Sequence, residues 1–551
     1  MPKKLKKRKI AGALLKRITL PLLFTTSSLS ALTYEVHGDF LMFSKVGFNH
    51  SPINPIKGIY PQDTFVNIAF KLEGTLHMGR GWSVNLGGAL GGQPYASTKH
   101  DRWAQDFRPP SYWLGQGGDG GDAAAEAACA GVVGAVGSLT NPNSTCISAR
   151  DLMDASGGPG SVIDPRGFQY MYMGEWNGSY PNYYPGSAYL PGHSRRYSIY
   201  KANLTYDSER WHAVAGRFDV TEQEQIDWMY QMLTGFYGTF KVNNKLKLQL
   251  LSSWGRGIVD GQWFFANYRE KPWGIHKAGI IYRPTKNLMI HPYLYLIPEV
   301  GTLPGIKVEY DTNPNFAGRG IRHKTTFYAM YDYRWNNSSY GRYAPARYNT
   351  WDPFLDGGKW RGLQGPGGAT LLLRHHIDIN NYFVVGGAYL NIGNPNMNLG
   401  TWGNPIAIDG IEQWVGSVYG LGFASIDNIT AADAFTEYVK GGGNHGKFSW
   451  SVYERFTTSP RAIEYGIGTY LDYQFGKHIK AGLKLVWLEF RVRAGYDPGT
   501  GFLGPNGQPL NLNNGLFETG AFMQGPQNIG GIAKSITNDM SHLMTHFSYS
   551  F

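Results

Sequence analysis

The side chains with chemistry to offer are mostly ionisable, and they fall at every second position of strand-like stretches. Lys201, Arg217, Lys241, Lys245, Lys247, Lys277, Arg283, Arg334, Arg374 and Arg455 take one face of their stretches, with Glu73, Asp332, Asp378 and Asp472 on the same face. Alternation of this kind delivers charge to one side of a sheet. Enzyme signatures fail on inspection. Gly441–Lys447 (GGGNHGK) has most of a phosphate loop, but Phe448 stands where Ser or Thr is needed, and the segment joins two strands. Gly115-x-Gly117-x-x-Gly120 lies in a Gly-rich loop with no strand before it. His375 and His376 are adjacent, so on a strand they point to opposite faces and cannot join His323 around one ion. Asp119, Asp122 and Glu126 lack the twelve-residue calcium pattern. The expectation is therefore no enzyme, no metal and no cofactor.

The elements that must carry these charges repeat to the last residue. Val66, Ile68, Phe70, Leu72, Leu76 and Met78 alternate with Asn67, Lys71, Glu73, Thr75 and His77, and Leu543, Thr545, Phe547, Tyr549 and Phe551 with Met544, His546, Ser548 and Ser550. The pattern predicts strands at 34–43, 64–78, 81–91, 196–206, 211–219, 234–242, 245–254, 275–283 and 288–297. It continues at 305–311, 321–334, 369–379, 382–392, 433–440, 447–456, 463–475, 479–491 and 541–551. Segment 305–311 is short, and 412–423 alternates enough to be an extra strand. Strands of about 10–13 residues suit a tilted bilayer crossing, whereas soluble strands average about 5–6. Aromatics cluster at strand ends, and short turns (Gly79-Arg80, Asp207–Arg210, Asn243-Asn244, Pro284–Asn287, Asn380-Asn381, Gly441–Gly446, Gly476–His478) alternate with long loops. The expected fold is all-β: a transmembrane antiparallel β-barrel of about 18 strands (16–18) with long extracellular loops, wide enough to leave an aqueous lumen.

Charge and leader agree with export. Of 51 Lys+Arg against 40 Asp+Glu, eight basic residues and no acid lie in residues 1–31; without them 43 basic and 40 acidic groups remain. The nucleic-acid reading of the +11 net charge then fails. The basic run to Arg17, the apolar Ile18–Phe24 and the small residues Thr25–Ala31 read as a cleavable signal peptide, 1–31, ahead of a single barrel domain, 32–551. The predicted location is the outer membrane of a Gram-negative bacterium. Cys129 and Cys146 lie within the large insertion 92–195, and in an oxidising compartment they are expected to pair. Loops 92–195, 393–432 and 492–540 are long enough to cap or narrow the mouth or to serve as contact surfaces.

The segment Asp219–Thr234 (DVTEQEQIDWMYQMLT) is free of Gly and Pro, helix-compatible, and acidic at Asp219, Glu222, Glu224 and Asp227. It either folds into the lumen as a constriction or lies outside as a solvated helix. Folded inward, its acids would face the basic wall and set a transverse field that selects ions and orients dipolar solutes. Val36-His37-Gly38-Asp39-Phe40, the Ala215-Gly216-Arg217-Phe218-Asp219 strand end, and Tyr549-Ser550-Phe551 resemble the Helicobacter outer-membrane (Hof) family. That group is similar in layout to OprD-type porins and the Campylobacter major outer-membrane porin. The resemblance implies an inward loop opposing an arginine-rich wall, with Asp219, Glu222 and Asp227 set against Arg217 and its neighbours. It also implies that Phe551 is a signal read by the barrel-assembly machinery. Two functions follow. One is a porin-like channel for passive diffusion of small polar or charged solutes and ions; the other is an adhesin or ligand-binding protein using the long loops on a barrel pedestal. Expected partners are outer-membrane lipid and lipopolysaccharide, the assembly machinery, small solutes and possible copies in a homo-trimer, with no nucleic acid.

Overall fold

A computed structural model describes residues 32–51, 62, 64–97, 197–229, 232–257, 268–298, 301–334, 367–393, 409–411, 428–429, 433–460, 462–493 and 534–551. The leader, Cys129, Cys146, the 412–423 segment and nearly all of loops 92–195 and 492–540 lie outside those residues. The strands are β1 (Thr33–Gly47), β2 (Phe65–Gly79), β3 (Trp82–Ala96), β4 (Tyr197–Asp207), β5 (Trp211–Asp219), β6 (Met232–Asn243) and β7 (Leu246–Gly257). Next come β8 (Tyr268–Tyr282), β9 (Leu288–Ile297), β10 (Gly301–Asp311), β11 (Ile321–Arg334), β12 (Gly367–Ile379) and β13 (Tyr382–Gly393). The last are β14 (Phe435–His445), β15 (Phe448–Thr458), β16 (Ala462–Gln474), β17 (Ile479–Val492), β18 (Ile536–Asp539) and β19 (His542–Ser550).

Each strand pairs antiparallel with its chain neighbours, and β1 closes the sheet on β19 from Asp39–Ser550 to Gly47–His542. Because β17 pairs with both β18 and β19, these are two parts of one stave, and the barrel has 18 staves. The break falls at Met540-Ser541, where the Ser541 hydroxyl accepts the Leu488 N–H at 3.1 Å. Closure gives every stave two neighbours, the condition for a sheet to satisfy its backbone inside lipid. One end carries short connections, from the two-residue Arg80-Gly81 and Asn380-Asn381 turns up to the nine residues 312–320. Connections 97–196, 220–231, 394–434 and 493–535 all leave from the other end.

The alternation sorts side chains between lumen and exterior. On β9, Met289, His291, Tyr293, Tyr295 and Ile297 are buried inside, while Leu294 between them is 43% exposed outside. The outer face is apolar and ends in aromatic contacts: Trp82–Tyr206, Trp211–Phe240 and Tyr473–Phe475 at the tight-turn end, and Tyr465–Trp487 toward the loop end. Phe551 lies over Gly38, exchanging backbone hydrogen bonds with it at 2.9 and 3.1 Å and stacking on Phe70 and Tyr549. One predicted turn is corrected. Gly441–His445 is strand, and the turn is Gly446-Lys447.

Candidate functional site: a charged lumen crossed by inserted loops

The connection after β5 turns into the barrel. Asp219 caps a single 3-10 turn (Val220–Glu222), accepting from the Thr221 N–H at 2.8 Å and its hydroxyl at 2.7 Å. No longer helix forms, since Gln225 takes a left-handed conformation (φ 58°) and the acids beyond the turn are drawn to separate strands. Glu222 accepts from Lys201 Nζ (β4) at 2.9 Å, and the same ammonium reaches Glu73 (β2) at 3.4 Å. Glu224 meets Lys247 (β7) at 2.7 Å and Arg283, just past β8, at 3.1 Å. Its backbone carbonyl accepts from Tyr237 at 2.9 Å and Gln249 at 2.5 Å. Asp227 meets Lys307 (β10) at 3.0 Å, and Lys277 (β8) donates to the Gln225 carbonyl. Trp228 is buried, its indole N–H on the Tyr293 hydroxyl at 2.6 Å and its ring edge-on to Tyr328. Lys277 and Lys307 lie 5.0 Å from the Tyr293 and Tyr328 ring centres, where a cation is attracted to the π face.

The electrostatics favour ionised acids in this loop. Burial pushes the Glu224 carboxyl up, but the hydrogen bond and charge of Lys247 and the charge of Arg283 outweigh it and leave it below the usual range. Burial likewise opposes ionisation of Asp227, and Lys307, then Lys277, overcome it.

A second segment enters from the β13–β14 connection. Asp409, 3% exposed at its side chain, is gripped by Arg374 (β12) through Nε at 2.7 and 2.9 Å and through a terminal nitrogen at 2.5 Å. The Tyr438 hydroxyl donates to the same carboxylate at 2.6 Å, and Lys440 donates to the Asp409 carbonyl at 2.7 Å. Further along, Asn391 donates to the Ile429 carbonyl and Ser459 to Asn428. Ile411 and Ile429 join Trp228, Tyr293, Tyr328, Tyr389, Tyr438 and Tyr453 in one buried cluster inside the barrel.

The positions expected at the constriction divide as follows. Lys201, Lys247, Arg283, Glu222 and Asp227 are brought together by the inserted loop. Asp219 instead caps the turn. Arg217 is a correction. Val214 and Phe218 point into the core, so Arg217 between them takes the outer face, opposite Ala202 and Thr234, with a hydrogen bond to the Ile199 carbonyl at 3.0 Å. Lys241 is half-buried on β6, Lys245 is exposed in the turn, and neither makes an ion pair among the described residues. Arg374 holds Asp409, and Arg334 ends β11 with its side chain outside the described residues. Arg455 is buried in a pair with Glu464 at 2.8 Å. The expected list lacked Lys307, Glu224 as a partner, and Asp409. Lys307 alternates correctly within 305–311, so the signal was present in a segment read as short. Among the described residues, no group of three or more His, Cys, Asp or Glu is arranged to hold a metal.

A polar lumen inside an apolar, aromatic-rimmed exterior is the layout of a membrane barrel. Residues 19–551 match the model of a family described as "Putative outer membrane protein". The chain belongs to that family. No curated protein matches it. It is similar to solved structures of other bacteria. With Pseudomonas aeruginosa OccK9 (OpdG) the TM-score is 0.49 at 8% identity, over 95% of this chain and 99% of that one. With Acinetobacter baumannii OccAB4 it is 0.46 at 9%, over 95% and 99%, and with the outer membrane protein opdK from Pseudomonas aeruginosa 0.46 at 10%, over 94% and 98%. In an outer-membrane protein the apolar outer strand faces are the lipid contact, and the ionised side chains described above, Arg217 apart, are turned away from it.

Proposed function

We propose that this outer-membrane protein is a porin-like channel for passive diffusion of small polar or charged solutes and ions. The observation that carries the reading is the 220–229 loop inside the barrel, with Glu222, Glu224 and Asp227 each met by a cation from the wall. Fixed opposite charges across a narrowed lumen set a field that sorts solutes by charge and dipole without binding them tightly. The tight-turn end would face the periplasm and the long connections the exterior. Residues 1–31 would direct export and be cleaved, Cys129 and Cys146 would pair, and Phe551 would be read by the assembly machinery. The test is single-channel recording of purified protein in a planar bilayer under a salt gradient. Stable ohmic steps with a non-zero reversal potential are expected. Silence from protein shown to be folded and inserted would overturn the channel reading and turn attention to the long loops as an adhesive surface.

A further inference from the structure

Few fixed charges lie on the outer strand faces, and they are confined to two places. Among the described residues these are Arg217, with Asp219 at the loop end of the same strand β5, and Glu437, Glu454, Glu489, Arg491 and Asp539 on β14, β15, β17 and β18. Their outward direction follows from exposed apolar neighbours at even spacing: Val439, Val452, Trp487 and, for β5, Trp211. On β8, His276 shares the outer face with exposed Ile280 and Tyr282 and touches Ser252 at 2.9 Å.

The heights match. Arg217 stands six positions above Trp211, His276 six above Tyr282, and Glu454 six above Phe448, each counted from an exposed aromatic at the tight-turn end. Six positions on a tilted strand rise roughly 15 Å, which lies within the ~25 Å apolar band. Glu437 and Glu489 are slightly higher, beside Phe456 and Tyr465, and Arg491 is nearer the loop rim. Lipid tails offer Glu454 no partner, and within the barrel it accepts from the Tyr465 hydroxyl at 2.5 Å. A protein surface bearing a cation at the same depth would complement it, and the β5–β8 face of another copy has Arg217 there, with the polar His276 at the same height.

We propose that copies of this chain associate side by side, the acidic β14–β17 outer face of one against the β5–β8 outer face of the next. All copies in one membrane share an up direction, so equal heights meet. The two faces lie half-way around the 18-stave barrel from each other. Such a contact is heterologous and its operator is a translation, so it extends as an open row and does not close into a trimer.

The test keeps the charges in place and probes beside them. A photoreactive benzophenone amino acid replaces Val452 in one sample and Ala215 in another, in the full chain in native outer membranes, and cross-linked peptides are identified by mass spectrometry. Val452 should capture residues of β5–β8 from another copy, Ala215 should capture β14–β17, and the gel should show a ladder continuing past three. Glu454→Arg should lower the yield per folded barrel at least about tenfold, and adding Arg217→Glu to the same chain should restore it. Folded barrels are counted by their heat-modifiable gel mobility, so misfolding does not mimic the loss. Cross-links only to lipid or lipopolysaccharide, capture of β14–β17 by Val452, or a ladder ending at three would each overturn the proposal.

Discussion

Asp227 and Lys307 meet where neither has much water, with side chains 18% and 6% exposed. Removing one charge from such a pair strands the other, typically at a cost of about 3 kcal/mol. Asp227→Asn should therefore unseat the loop while the barrel stays folded, seen as noisier channel openings and new proteolytic cleavage within 219–234. Acid should do the same reversibly. Glu224 and Asp227 have carboxyls held below their ordinary values in the folded state, so their contribution is complete above the free-chain values of about 4 and is lost as pH falls through the lowered folded ones. Loop seating should persist at pH 5 and fail only well into acid, measured as conductance noise against pH. Sequence alone showed which acids the loop holds. It could not show which cation each would meet, because that depends on how far each strand is staggered against the next. Arg217 was misplaced although Trp211, six positions away on the same face, is an exterior girdle residue.

Strand existence was legible throughout, and 211–219, 288–297 and 321–334 are observed with those bounds, whereas β8 begins at Tyr268 and β10 at Gly301, ahead of the expected 275 and 305. One error came from glycine. Gly441–Gly443 read as turn formers, yet only Gly446 has a positive φ (63°) there. At Gly442 a Cβ would stand 2.4 Å from the Trp450 carbonyl, so this glycine permits close approach within a sheet. Gly38 works the same way, since a Cβ there would come within 2.2 Å of the Phe551 ring. Gly38→Val should displace that ring with its chemistry intact. The expected result is a smaller heat-modifiable, folded fraction at equal expression, whereas the same change at outward Gly74, 3.8 Å from its nearest neighbour, should leave the fraction nearly unchanged.

At the scale of the whole molecule, a period of two carries one bit per residue, inside or outside, and that was enough to count staves. It says nothing of connections, which have no period, so the entry of 409–411 and 428–429 into the barrel had no signal beyond loop length. Replacing 220–231 with a short Gly-Ser linker should leave the closed sheet intact, since β5–β6 pairing runs from Trp211–Phe240 to Asp219–Met232 without help from the loop. Conductance should rise and charge selectivity fall; an unchanged channel would mean that the Arg374–Asp409 segment alone sets the narrowest point.

The seam between β1 and β19 also has a temporal side. Ser550 bonds Asp39 across 511 positions of chain, and Ser44 meets Thr545 across 501. Every other neighbouring pair of strands can form as the ribbon lengthens, but this one waits for a segment that emerges after all the rest. Until then both margins of the ribbon present unpaired amides, the form of sheet most prone to join a stranger. The growing chain must therefore be held open and apart from its fellows for nearly its whole synthesis, and its insulation from lipid arrives in one late event.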